Sequence, residues 1–83
     1  MKVNVKYFAS IRENIGASSE SVETSAVTLA ELRDQLAAQG GAHAESLSRG
    51  MTVRMALNQV MSDETVMLLE QAEVAFFPPV TGG

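Results

Sequence analysis

The chain has 83 residues, 46% of them hydrophobic and none of them cysteine, with six basic residues against ten acidic and a formal net charge of −4 at pH 7. That length fits one small domain, and the hydrophobic share excludes a chain too polar to fold. Without cysteine there is no disulfide framework, no thiolate zinc site and no thiol nucleophile, and without a Lys/Arg cluster a nucleic-acid partner has little support.

A core this small leaves little room for an enclosed substrate cavity, so a binding or carrier module is expected rather than a self-contained enzyme. All the basic residues lie at or before Arg54. From Met55 onward there are four acids and no base. The C-terminal third is therefore expected to favour a basic partner surface. No apolar run approaches the roughly 20 residues of a membrane span, and the N-terminus lacks the apolar core of a signal peptide, so a cytoplasmic protein is expected.

The first stretch, KVNVKYF, alternates, with Val3, Val5 and Tyr7 on one side and Lys2, Asn4 and Lys6 on the other. It predicts a half-buried strand, and Phe8 breaks the polar side of the pattern. In SIRENIG, Ser10 and Glu13 have capping-box spacing, Ile11 and Ile15 are four apart, and Gly16 is a plausible stop. One or two helical turns are expected there. Residues 19–25, SESVETS, predict a weak, edge-like strand around Val22.

TLAELRDQLAAQGG is the clearest element. Thr28 and Glu31 form a second capping box, and Leu29, Leu32 and Leu36 line one helical face. Arg33, Asp34 and Gln35 are expected to look outward, and Gly40-Gly41 to end the helix. AHAESLSRG is read as irregular or briefly helical. TVRMALN predicts a strand with Val53, Met55 and Leu57 on one face, followed by a tight turn at Asn58-Gln59 and a short strand over QVM. SDETVMLLEQ is read as a loop or short turn. EVAFF predicts the last strand, which Pro78 ends because proline cannot donate to a ladder. The order of strands with one main helix between them predicts an α+β fold, a mixed sheet of about five strands with the helix on one face. The whole chain, 1–83, is read as a single domain.

Few side chains suggest chemistry. His43 is the only histidine and is expected at the surface. Asp63-Glu64 and Glu70/Glu73 are carboxylate pairs beside a turn and a strand start, where a solvated face is expected. No metal site is expected, since zinc would need more His or Cys ligands than the chain has. Met51, Met55, Met61 and Met67 are read mostly as core.

The end of the chain, AFFPPVTGG, has more form. Phe76 and Phe77 point to opposite faces of their strand, so one is expected in the core and the other away from the helix. Pro78 and Pro79 fix two φ angles and project the last four residues away from the body. Val80 and Thr81 extend that projection, and Gly82 and Gly83 pass where no side chain fits. A frayed end would account for the glycines but not for the stiff prolines. A stiff stalk with a slim tip suits presentation of the Gly83 α-carboxylate, which adenylation would activate for attack by a sulfur nucleophile. Residues 78–83 are thus expected to form a projecting tail.

The stretches VKYFASIRENIG at 5–16, ALNQ at 56–59 and EVAFFPPVTGG at 73–83 together resemble the small subunit of molybdopterin synthase, a ubiquitin-like sulfur carrier. The resemblance implies a β-grasp fold with the last strand beside the first. It implies that a ubiquitin-activating-like adenylyltransferase, using ATP and magnesium, adenylates Gly83, which then becomes a thiocarboxylate. The domain itself would bind no cofactor. The tail, Phe77 to Gly83, would enter the large synthase subunit in a 2:2 heterotetramer. There Gly83 would pass sulfur to cyclic pyranopterin monophosphate to build the molybdopterin dithiolene, with the catalytic side chains on the large subunit. Carriers for thiamin synthesis or transfer-RNA thiolation, and ubiquitin-like protein modifiers, are the alternatives. One departure stands out. The family places an acidic-Gly-acidic turn before the last strand, where this chain has Gln71-Ala72. Loss of that glycine is expected to reshape the turn or lower stability while leaving the tail intact.

Overall fold

The computed structural model describes residues 1–79. The alternation of the first stretch becomes β1 (Lys2–Tyr7), with Val3, Val5 and Tyr7 buried and Lys2, Asn4 and Lys6 outside. Fully burying a side chain of this kind contributes about 1.5–3 kcal/mol, which fixes which face turns inward. β2 (Ser19–Glu23) pairs antiparallel with β1 at the sheet edge and buries only Val22.

Between them lies α1 (Ala9–Ile15), which ends at Gly16 in the left-handed conformation. The expected Ser10/Glu13 capping box does not form. Phe8 is the N-cap, with extended backbone and no side-chain cap, and its carbonyl already accepts from the N–H groups of Ile11 and Arg12. Ser10 therefore lies inside the helix rather than before it. Ala9 takes φ 52°, a sharp kink between strand and helix.

α2 (Leu29–Ala37) starts as expected. Thr28 Oγ1 accepts from the Glu31 N–H at 3.2 Å, and Glu31 Oε1 accepts from the Val27 N–H at 2.9 Å, one residue ahead of the cap. Leu29, Leu32 and Leu36 are fully buried. Arg33 is not outward: it is only 4% exposed. Its Nε donates to the Leu47 carbonyl at 2.6 Å, and its Nη2 donates to the carbonyls of Ser48 and Met51 at 2.8 and 2.6 Å. Arg33 stands one turn after Leu29, beside the apolar face, so its long stem reaches under the neighbouring segment. There its guanidinium donates to the Leu47 carbonyl at the end of the neighbouring helix and to two carbonyls of the loop beyond it.

Those carbonyls belong to and follow α3 (Gly41–Leu47), the brief helix of AHAESL. Gly40 and Gly41, at φ 78° and 53°, form the junction between α2 and α3. β3 (Arg54–Leu57) and β4 (Val60–Ser62) form a hairpin turned by Asn58 and Gln59, both at positive φ as a type I′ turn requires. Ala56, on the open face opposite Met55, is nonetheless buried, between the cross-strand partners Ala75 and Met61. Residues 63–72 carry no helix and are tied to the start of α2 by the Thr28–Met67 bridge. Gln71 itself adopts φ 60°, and its N–H donates to the Lys2 carbonyl at 2.8 Å. The turn keeps a left-handed residue without a glycine.

β5 (Glu73–Phe77) completes the sheet in the order β2-β1-β5-β3-β4. It runs parallel to β1 and antiparallel to β3. The described residues thus form five strands, the main helix α2 and two short helices, α1 and α3, in the stretches read as brief helical turns. The core joins Val3, Val5, Tyr7, Val74 and Phe76 to the leucines of α2 and to Leu47. This mixed sheet grasping a helix is a β-grasp fold. The methionines are mostly not core: Met55 is buried, but Met1, Met51, Met61 and Met67 are exposed. Met61 lies on the short edge strand, Met51 on the approach to β3 and Met67 in the loop, where little chain remains to cover them.

Candidate functional site

β5 is flanked by a ladder on each side, so the chain leaves the sheet from its central strand at Phe77-Pro78. The two phenylalanines divide as the alternation requires. Phe76 is fully buried and stacks on Tyr7, with ring centroids 6.3 Å apart. Phe77 is half-buried and stacks on Phe8 at 4.8 Å with 15° between the ring planes. The kink at Ala9 lets the chain pass to α1 while Phe8 stays beside Phe77. Arg54 pairs with Phe77 across the β3–β5 ladder. Together with Met61, Pro78 and Pro79 these residues line an open groove of about 560 Å³ where the chain leaves β5.

Phe77, Pro78 and Pro79 are thus gathered at one place. Val80, Thr81, Gly82 and Gly83 lie outside the described residues. Phe8, Arg54 and Met61 join the site without a motif in the sequence that marks them as site residues. Phe8 had already declared itself by breaking the alternation. Arg54 and Met61 needed the β3–β5 and β3–β4 registers to bring them beside Phe77.

His43 is not a free surface residue. Its Nε2 donates to Glu20 Oε2 at 2.9 Å, and Tyr7 Oη donates to the same oxygen at 2.6 Å. The imidazole stands edge-on to Tyr7, with centroids 6.0 Å apart. Burial, with the hydrogen bond to Glu20 next, pushes the Tyr7 hydroxyl far up and keeps it protonated. Burial also pushes the Glu20 carboxyl up, but the hydrogen bonds from His43 and Tyr7 outweigh it and hold Glu20 below its usual range. The group ties α3 to β1 and β2 and presents no nucleophile.

The carboxylate pairs are dispersed. Asp63 accepts from the Thr65 backbone N–H and hydroxyl, and Glu64 pairs with Arg49. Glu70 accepts from the Lys2 backbone N–H, and Glu73 pairs with Lys6 at 3.3 Å. Among the described residues no group of three or more His, Asp or Glu side chains could hold a metal ion. Nor is any helix among them long and apolar enough to cross a membrane.

A ubiquitin-like domain with an aromatic patch where the chain leaves β5 is the class that fold and site define. The chain belongs to the ThiS family, which matches residues 5–83. It is similar to the molybdopterin synthase sulfur carrier subunit of Haemophilus influenzae, 41% identical, covering 98% of this chain and 99% of that one. It is likewise similar to the molybdopterin synthase sulfur carrier subunit of Escherichia coli, 38% identical, with 98% and 99% covered. Among solved structures it resembles a chain of the complex of subunits 1 and 2 of the molybdopterin-converting factor from Helicobacter pylori. That match has a TM-score of 0.69, 27% identity and full coverage of both chains.

Proposed function

We propose that this chain is the sulfur-carrier subunit of a molybdopterin synthase. The observation that carries the reading is the exit of the central strand. β5 is clamped between β1 and β3 and delivers Phe77, Pro78 and Pro79 beside an exposed aromatic patch. The sulfur carriers of Haemophilus influenzae and Escherichia coli, similar over nearly the whole chain, support it.

The reactive group is the α-carboxylate of Gly83. A carboxylate is a poor acylating group, so an adenylyltransferase first transfers AMP to it from ATP with magnesium, releasing pyrophosphate. A sulfur nucleophile then attacks the acyl carbon, forms the C–S bond and expels AMP, which leaves a thiocarboxylate. The thiocarboxylate sulfur attacks cyclic pyranopterin monophosphate, and water then cleaves the acyl C–S bond, which leaves the sulfur on the substrate and returns Gly83 to a carboxylate, one atom per carrier toward the molybdopterin dithiolene. Tyr7, His43 and Glu20 have no part in these steps, and the catalytic side chains come from the large subunit. The Phe8–Phe77 patch and Pro78–Pro79 seat the carrier on that subunit, as two carriers on two large subunits in the cytoplasm. The Helicobacter pylori complex, in which subunits 1 and 2 are bound to each other, supports the pairing.

Intact-mass measurement tests the chemistry. After incubation with the adenylyltransferase, ATP, magnesium and a sulfur donor, the chain gains the mass of one oxygen exchanged for one sulfur, confined to its C-terminal peptide. Absence of that species overturns the reading. Conjugation of Gly83 to lysines in its place would make the chain a protein modifier.

A further inference from the structure

Pro78 and Pro79 line two grooves, one on each side of the tail root. The sheet-side groove holds Phe8, Met61, Phe77 and Arg54. The helix-side groove, about 770 Å³, opens between α1, α3 and the approach to β3. Buried Ile11 and exposed Met51 give it apolar surface, and Asn14 and Glu45 give it a polar rim. Asn14 Nδ2 donates to Ser46 Oγ at 2.9 Å and to Glu45 Oε1 at 3.3 Å, which steadies the carboxylate at the rim. Glu45 is exposed and forms no ion pair among the described residues, and the same holds for Arg54 across the root. The two grooves therefore present unneutralised charges of opposite sign.

The reach of the tail is limited by covalent geometry. Four residues lead from Pro79 to Gly83, and a fully extended chain advances about 3.3–3.6 Å per residue, so Gly83 lies no more than about 14 Å from Pro79. An enzyme that receives Gly83 in a recessed active site must bring the rim of that site against the carrier body on both sides of the root.

We propose that the helix-side groove is a second docking surface for the large subunit. It takes an apolar side chain flanked by a lysine or arginine, whose charge meets Glu45. This inference rests on the sulfur-carrier reading. The sheet-side groove takes an apolar residue flanked by an acid that meets Arg54. Opposite charges on the two sides fix the rotation of the carrier about its tail. A carrier turned half a revolution would set like charges together, and such juxtapositions reject wrong poses.

The experiment measures large-subunit affinity by calorimetry for the parent and three variants, with thermal melts confirming that each is folded. Glu45→Lys weakens binding about fivefold or more at low salt, and the loss shrinks as salt screens the pair. Ser10→Trp, a change at an exposed helix position lining the same groove, weakens binding at every salt concentration by filling it. Phe77→Ala reports on the sheet side. Parent-like affinity in either groove variant, with Phe77→Ala weakened, overturns the second surface and leaves the sulfur-carrier reading standing. A parent that fails to bind the large subunit overturns both.

Discussion

Phe76 and Phe77 are adjacent and chemically identical, yet the fold assigns them different work, and truncating each to alanine separates the two. Phe76 is fully buried against Tyr7. Its removal leaves a cavity, and buried Phe→Ala changes cost about 3–5 kcal/mol. A domain of this length has a total stability of only about 4–12 kcal/mol at the usual share per residue. Phe76→Ala therefore consumes about a quarter or more of it, and at about 4–8 °C per kcal/mol its melting temperature falls by at least about 12 °C. Phe77 is half-buried and its main partner is the Phe8 ring. The stack contributes about 0.5–1.5 kcal/mol and the partial burial somewhat more, so Phe77→Ala costs folding about 1–2 kcal/mol. As an aromatic anchor of an interface it costs binding about 2 kcal/mol or more, close to thirtyfold in Kd. Urea or thermal melts, paired with calorimetric titration of the large subunit, read both quantities. If Phe77→Ala destabilises the fold as much as Phe76→Ala, or leaves affinity unchanged, the division of labour is wrong.

Two further predictions concern the body. Gln71 holds φ 60° and its N–H bond to Lys2 survives any side-chain change. Gln71→Gly removes a left-handed cost of about 1–2 kcal/mol and adds about 0.4–1 kcal/mol of unfolded-state entropy. The net gain of up to about 1.6 kcal/mol, about 0.8 at mid-range, raises the melting temperature by about 3–6 °C at mid-range, and a lower melting temperature would refute the strain. The Glu20 carboxyl sits below its ordinary value of 4.5 in the folded state. Its contribution is therefore fully present above that value and is lost as pH falls through the depressed one. Urea midpoints should drop on acidification below about pH 4.5, and Glu20→Gln should flatten part of that drop. A parent with midpoints independent of pH between 5 and 3 would contradict it.

Much of this protein was legible in its residues. The two-residue period of KVNVKY decided which side chains of β1 turn inward, because a slip by one residue would expose Val3, Val5 and Tyr7 together. Thr28, Glu31 and the three leucines decided α2, because cap and apolar face are local in sequence. Asn58 and Gln59 were readable as a turn, and Pro78 as the end of β5, since proline cannot continue a ladder. What the period could not supply was the identity of neighbours from distant parts of the chain. Arg33 reads as an outward residue until the end of α3 and the loop after it lay three carbonyls over it. His43 reads as solvent-exposed until β1 and β2 bring Tyr7 and Glu20 beneath it. Phe76 and Phe77 were known to face opposite ways, but only the helix layer decided which face is the core. Phe8, Arg54, Met61 and Phe77 meet because β1 and β3 both pair with β5, and strand order is a long-range choice. Local propensity sets the direction of each side chain, whereas the patch at the tail root depends on which strands lie side by side, and only packing of the whole sheet against α2 decides that.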